Sequence, residues 1–300
     1  MRRRMLICIL AAVAGLGVAC LLAGGMVLCD GSIKVARRPL AAISIDGARR
    51  SDVETAASDG IMLRGWLFEP EVSSGRAVIL LHGIGDNRDG VAGLARMLIE
   101  DHYEVLTPDS RGHGESGGEL VTYGQREAGD VHRWVDWLVA KDHPRSLFGM
   151  GESLGGAVLI ESLSKERRFR AIAAECPYAD FESVAEDRVA RRISGPAFLA
   201  RPLADGLVWS GLLYARVKYG VNLADGSPEA ALAGTSTPVL LIHGLNDEKT
   251  SPEHSRRLLA ANPRVTSLWL VPGAGHTGAF GTAPEEFRKR VLGWFAAHAQ

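Results

Sequence analysis

From Ala77 to the C-terminus, short continuous apolar runs alternate with segments of helical length, and few folds accommodate that order. The runs are AVILLHG, YEVLTPD, SLFGMGE, AIAAECP, PVLLIHG and SLWLVPG. A strand that reads as an unbroken apolar run is covered on both faces, and strands separated by helices pair in parallel. Two further β-rich runs, SDVETAA and IMLRGWLF, come before them with no helix between. The expectation is an α/β domain, with a mostly parallel central sheet of about eight strands flanked by helices.

Helices are placed near 88–100, 125–140, 154–164, 252–261 and 284–297. In the second, Val131, Trp134, Val135, Leu138 and Val139 recur at i, i+3, i+4 spacing and form its core face. Between Tyr178 and Thr235 the alternation lapses into an insertion with helical apolar patches, Phe198, Leu199, Leu203, Leu207, Val208, Trp209, Leu212, Leu213 and Tyr214. A connection of that length in a compact domain is usually functional, and a small helical cap over a pocket is expected, about 178–235.

Upstream, Met5 to Leu28 has no charged side chain and follows Arg2, Arg3 and Arg4. At about 1.5 Å per residue it is long enough to cross a hydrocarbon core of roughly 30 Å. Residues 1–29 therefore read as a transmembrane anchor, 30–50 as a linker, and 51–300 as one catalytic domain. A cleaved signal peptide is the competing reading, but its apolar region spans about 7 to 15 residues and no AxA site follows this longer run. Lipid attachment at Cys20 is a third reading, weakened by Gly17. Lys34, Arg37 and Arg38 blunt the positive-inside contrast, yet a basic tail followed by an apolar segment resembles an export signal. The domain is expected outside the inner membrane, on the periplasmic side.

Lys and Arg number 34 against 35 Asp and Glu, so no whole-protein field draws nucleic acid. Of four cysteines, Cys8, Cys20 and Cys29 belong to the apolar segment, which leaves Cys176 alone in the domain, where it reads as a small core residue.

One stretch carries the chemistry. GMGESLGGAV places Ser153 between Gly151 and Gly155, where a strand pattern ends and a helix pattern begins. In a strand-to-helix turn of the GxSxG type the serine takes up strained backbone angles that expose its hydroxyl, while small residues let strand and helix approach. A serine hydroxyl needs a base, itself oriented by a carboxylate. Downstream, PVLLIHGLND places Asp247 beyond one strand and LWLVPGAGHTG places His276 beyond the next. Parallel strands release their loops at one edge, so all three residues converge there. Glu248 is a poorer acid than Asp247. His102, His132, His143, His254 and His298 are assigned to solvent or helix packing, and His113 and His243 to glycine turns. The N–H of Leu154 and that of Ile84, in the turn after His82 and Gly83, are candidate donors to a developing oxyanion.

With these motifs, PDSRGHGES and HGLND, the domain resembles the α/β-hydrolase superfamily from Asp52 to Gln300. Within it the chain is similar to membrane-attached bacterial serine hydrolases of the lysophospholipase-like and serine-aminopeptidase-like group. That resemblance implies Ser153 as nucleophile, His276 as base then acid, Asp247 as its orienting acid, Ile84 and Leu154 as the oxyanion hole, and no cofactor or metal. Relatives that place an aspartate at the position of Ser153, such as haloalkane dehalogenases, and those with a GGG-type oxyanion loop are disfavoured. The expected reaction is hydrolysis of a small carboxylic ester, with lipid or acyl-chain substrates in view. An amidase or aminopeptidase on the same triad stays open, with Glu182, Glu186 and Asp187 as candidate amine-binding carboxylates, as does a silent binding protein on this fold. Nothing in the pattern addresses oligomeric state.

Overall fold

The computed structural model describes residues 2–299. Among them, β1 (Ala48–Ala56), β2 (Met62–Pro70), β3 (Arg76–Leu81), β4 (Glu104–Pro108), β5 (Ser146–Glu152), β6 (Phe169–Glu175), β7 (Val239–Gly244) and β8 (Thr266–Val271) form one sheet in the order β1-β2-β4-β3-β5-β6-β7-β8. β2 is antiparallel to both of its neighbours, and every other pair is parallel. All eight expected strands are present. The helices are α1 (Arg2–Ile33), α2 (Ala92–Glu100), α3 (Glu127–Asp142), α4 (Leu154–Ser162), α5 (Phe181–Arg192), α6 (Ala197–Tyr214), α7 (Pro228–Ala233), α8 (Pro252–Ala261), α9 (Ala279–Thr282) and α10 (Pro284–Ala297).

The continuous apolar runs are explained by two cores, one on each face of the sheet. Side chains alternate across a strand. In β3, Ala77, Ile79 and Leu81 enter one core while Val78 and Leu80 enter the other; in β7, Val239 and Leu241 oppose Leu240 and Ile242 in the same way. Trp134 of α3, Leu159 of α4 and Leu258 of α8 cover the first face, and Leu98 of α2 and Phe295 of α10 the second. The expected core face of α3 is buried at Val131, Trp134, Val135 and Leu138, with Val139 packed at its margin.

α2 begins at Ala92 rather than near Arg88, because side chains hold the preceding residues in turns. The Arg88 N–H donates to Asp109 Oδ1 at 2.8 Å and the Asp89 N–H to Asn87 Oδ1 at 3.0 Å. Within the stretch 30–50, α1 continues to Ile33 and β1 starts at Ala48. The segment between them has no regular element but is tied down. Arg37 donates to the carbonyls of His113, Gly114, Ser116 and Gly118, and Arg38 pairs with Asp86 and Asp89.

Between β6 and β7 the insertion folds into α5, α6, a π-helical turn at Ala215–Tyr219 and α7. Its apolar residues divide. Val208 is buried, whereas Phe198, Leu199 and Trp209 of α6 stand 74%, 60% and 61% exposed. α6 crosses α1 at glycines: a Cβ on Gly25 would lie 2.7 Å from the Gly211 nitrogen, and Ser210 Oγ donates to the Leu21 carbonyl at 2.9 Å. Among the described residues α1 is the one helix long and apolar enough to span a membrane, over Arg3–Ile33.

Candidate active site

Ser153 occupies the turn from β5 into α4 with φ 51° and ψ −113°, a conformation that L-residues rarely adopt. The flanking glycines are required there. A Cβ on Gly151 would lie 2.6 Å from the Gly155 carbonyl carbon, and one on Gly155 would lie 2.5 Å from the Leu81 carbonyl oxygen. The Ser153 N–H donates to the Glu175 carbonyl at 2.7 Å, which joins the turn to the end of β6.

Asp247 lies in the loop after β7 and His276 in the loop after β8. The structure brings both to Ser153. Ser153 Oγ is 2.8 Å from His276 Nε2, and His276 Nδ1 is 2.7 Å from Asp247 Oδ2. The second Asp247 oxygen accepts the N–H groups of Lys249 and Thr250 at 2.8 and 2.9 Å. With Nδ1 donating to the carboxylate, Nε2 is left to accept the serine proton. Burial pushes the Asp247 carboxyl up, but hydrogen bonds from His243, His276 and the Thr250 N–H outweigh it and hold the group well below the usual carboxylate range.

The Glu248 side chain makes no hydrogen bond or ion pair with His276 among the described residues; its carbonyl accepts from Arg191 at 2.6 Å. On the other side of Ser153, the turn after β3 packs so closely that a Cβ on Gly83 would lie 3.5 Å from Ser153 Cβ. The N–H groups of Ile84 in this turn and of Leu154 at the start of α4 donate to no acceptor among the described residues.

Loops behind this edge brace the Ile84 turn. His82 Nδ1 donates to the Gly83 carbonyl and its Nε2 accepts the Ser110 N–H, while His113 Nε2 accepts the Gly85 N–H at 3.1 Å. Both rings are held neutral. Burial pushes the His82 pKa down, and burial, followed by the repulsion that charging both neighbouring rings would bring, takes His113 down to about 4. Asp109, in PDSRGHGES, accepts from the Arg88 and Glu115 N–H groups and pairs with the Arg88 guanidinium.

Four neighbours were not singled out as site residues by their sequence patterns. His243, read as a glycine-turn residue, is fully buried with Nε2 3.0 Å from the Thr250 carbonyl and 3.3 Å from Asp247 Oδ2. Its only signal was a position four residues before the acid in HGLND. Glu175 Oε1 accepts the Ala279 N–H at 2.8 Å, pinning the His276 loop. Glu152 and Glu175 are directly paired across β5 and β6. Burial, reinforced by Glu175 and Asp86, pushes Glu152 up to about 8, and burial pushes Glu175 up to about 7. Cys176 is buried as expected, but it stands beside the site, its Sγ accepting the Thr277 N–H at 3.4 Å.

Cys176, Asp247 and His276 offer ligand atoms within 4.8 Å of one another, the spacing of a metal site. Their chemistry does not suit one. The Asp247 and His276 atoms are committed to each other, and burial, with Glu175 and Asp247 nearby, pushes the Cys176 thiol up and keeps it protonated.

Above Ser153 opens a mouth of about 480 Å³ lined by charged groups, among them Asp86, Glu152, Arg188, Arg191, Glu248 and Lys249. The carboxylates considered as amine anchors do not line it. Glu186 and Asp187 instead pair with Arg201 at 3.3 and 2.6 Å.

A model of the Alpha/beta hydrolase family matches residues 78–290, which take in β3 from Val78 onward, β4 to β8 and both ends of the Ser153–His276 hydrogen bond. The chain belongs to the alpha/beta hydrolase family. This alpha/beta hydrolase is 25% identical over 235 residues to the uncharacterized protein YqkD of Bacillus subtilis, covering 77% of this chain and 74% of that one. It is also 25% identical over 267 residues to the uncharacterized peptidase YuxL of the same organism, covering 82% of this chain and 39% of that one. Among solved structures it superposes on the Pyrococcus furiosus esterase Pf2001 with a TM-score of 0.72 at 22% identity, over 90% of this chain and 100% of the other. At that identity the likeness concerns fold. Hydrolase activity and the eight-stranded, mostly parallel sheet are thus properties of the family to which the chain belongs.

Proposed function

We propose that this hydrolase cleaves carboxylic esters through an acyl-enzyme formed on Ser153. The observation that carries the reading is the continuous hydrogen-bonded line from Ser153 Oγ through His276 to Asp247. His276 takes the serine proton as Oγ attacks the acyl carbon, and Asp247 holds the ring in the required tautomer. The Ile84 and Leu154 N–H groups receive the negative charge that develops on the acyl oxygen, where losing one donor typically costs about 10² to 10³ in rate. His276 then protonates the departing alcohol, and water releases the acid by the reverse sequence. No cofactor enters these steps.

In the same proposal residues 1–29 anchor the enzyme by a single span of the inner membrane, 30–50 connect, and 51–300 form the catalytic domain on the periplasmic side with 178–235 as its cap. The peptidase name of YuxL supports an amidase on the same residues as the second reading. Against it, two of the three α5 carboxylates considered as amine anchors, Glu186 and Asp187, are paired with Arg201.

The deciding experiment measures initial rates of the full chain on p-nitrophenyl esters and on aminoacyl p-nitroanilides, beside Ser153→Ala, together with labelling by a fluorophosphonate. Ester turnover and labelling that both vanish in Ser153→Ala support the reading. Turnover of anilides alone assigns the amidase, and a wild type that neither turns over nor labels is a binding protein on this fold.

A further inference from the structure

A second cavity adjoins the polar mouth. It measures about 360 Å³, within the range of about 300–1,000 Å³ common for small-molecule sites, and its lining is mostly aliphatic. Leu28 and Cys29 of α1 form one wall; Val184 and Val189 of α5 and Leu212 of α6 form the others. Ile84, Arg188 and Arg192 line both cavities, so the apolar space begins where the Ser153 mouth ends.

We infer that this apolar cavity is an acyl-chain site, that the ester cleaved at Ser153 is one of a long-chain fatty acid, and that α1 is a wall of the substrate site as well as an anchor. The inference rests on the serine-esterase reading above and names its substrate class. Three observations carry it. The space is mostly aliphatic and meets the Ser153 mouth at Ile84, whose N–H is a candidate oxyanion donor, so a chain lying in it would bring its carbonyl toward Ser153. The Arg188 guanidinium, at the junction of the two cavities, is held by the acid loop, donating to the Lys249 carbonyl at 3.0 Å and to Thr250 Oγ1 at 3.2 Å rather than standing free in the apolar space. The third is the outer face of the cap. Exposed Phe198, Leu199 and Trp209 of α6 lie on the helix that crosses α1 at Gly25 and Gly211, and a close glycine crossing is the packing used between helices in lipid. Exposed apolar surface continuous with a candidate span marks a membrane contact, which puts the bilayer, a reservoir of acyl esters, beside the cavity.

Burying one methylene is worth about 0.8 kcal/mol, so each added carbon should raise kcat/KM about fourfold until the cavity is full. The test uses the full chain in vesicles of a diether phosphatidylcholine, which itself contains no ester. Rates are compared for p-nitrophenyl butyrate and palmitate in wild type, Val189→Trp and Leu28→Trp, which fill the cavity from opposite walls. The expected result is a palmitate kcat/KM about tenfold or more lower in each variant, with butyrate within about twofold of wild type. Parallel changes on both esters, or no change in either variant, overturn the acyl site; if Val189→Trp loses all activity, Leu28→Trp decides by the same criterion.

The esterase reading fails separately. If wild type hydrolyses neither ester, the rates of labelling by hexadecyl and methyl fluorophosphonates read the cavity directly: faster labelling by the hexadecyl reagent that each Trp removes supports it, and equal rates or none overturn it. Palmitate placed in the enzyme's own vesicles and palmitate carried on albumin in the buffer separate the bilayer from a soluble carrier as the source, the faster arm naming it.

Discussion

His243 Nε2 stands 3.3 Å from Asp247 Oδ2, with neither side chain open to solvent. Nε2 also faces the Thr250 carbonyl at 3.0 Å, which can only accept, so it carries a proton toward the acid loop, while Nδ1 lies 2.7 Å from Ser255 Oγ. Asp247 is therefore held from two sides, by His276 and by His243. The expected outcome for His243→Leu is a kcat lowered about tenfold with KM little changed, by analogy with other groups that orient a ligand or base from behind. Acid unfolding provides the second readout. Because Asp247 is depressed in the folded state, its stabilisation is present above the ordinary carboxylate range and is lost as pH falls through the folded value. Removing a donor raises that folded value, so acid unfolding of His243→Leu begins at a higher pH than in wild type. An unchanged acid midpoint would show that His243 does not support Asp247.

Ser153 is held at positive φ, and function and stability oppose each other there. Ser153→Ala and Ser153→Gly should both lose at least about 10⁴ in kcat, as serine nucleophiles do when removed. Chemical denaturation separates them. Glycine adopts this backbone without strain, so Ser153→Gly should exceed Ser153→Ala in stability by about 1–2 kcal/mol. Equal stabilities would mean that the elbow relaxes in solution.

At Gly155 the obstacle to a side chain is backbone, the Leu81 and His82 carbonyl oxygens at 2.5 and 2.7 Å from a Cβ. Backbone in the centre of a sheet cannot step aside as a flexible side chain can. Gly155→Ala is expected to destabilise by about 1–3 kcal/mol and to lower kcat by displacing Ser153 and the Ile84 turn together. Wild-type denaturation midpoint and activity in this variant would refute the close packing of β3 against α4.

Glu152 and Glu175 lie side by side, pushed up to about 8 and about 7 mainly by burial. A carboxyl raised on folding stabilises below its unfolded value, and that contribution is lost as pH rises through the folded value. The ordinary value is 4.5, so the loss falls between about 5 and 8. The buried neutral imidazoles of His82 and His113 act in the opposite sense below about 6.5, and the clean window lies above them. Burial also pushes Glu104 and Glu161 up to about 8, and they lose stability over the same range in wild type and variant alike, so the readout is a difference: from pH 6.5 to 9 wild type should lose on the order of 2 kcal/mol more unfolding free energy than Glu152→Gln with Glu175→Gln. Parallel wild-type and variant curves would show both carboxyls ionised at neutrality.

Much of the site was legible in sequence because parallel α/β topology converts chain order into position. Ser153, Asp247 and His276 each follow an apolar run, and runs of that kind release their loops at a common edge. The residues that escaped notice act through partners remote in sequence. Glu175 reaches Ala279, Cys176 reaches the Thr277 N–H, and His243 meets both Thr250 and Asp247. AAEC and LIHG alone contain no record of those neighbours. The same limit applies to the cap, whose apolar stripe predicted helices but not which face of α6 would stay exposed.

Local pattern alone thus determined the strands, the GxSxG elbow, the order of serine, acid and histidine, and the apolar character of α1, since each depends on periodicity, chain order or steric demands within a few residues. Tertiary structure alone decided that α1 crosses α6 through Gly25 and Gly211, that residues 34–47 are bound to the loops beside Ser153, and that an apolar cavity meets a charged mouth at Ile84. Those features are contacts between segments as much as 189 residues apart, as between Leu21 and Ser210, where only the packing of whole elements sets the distance.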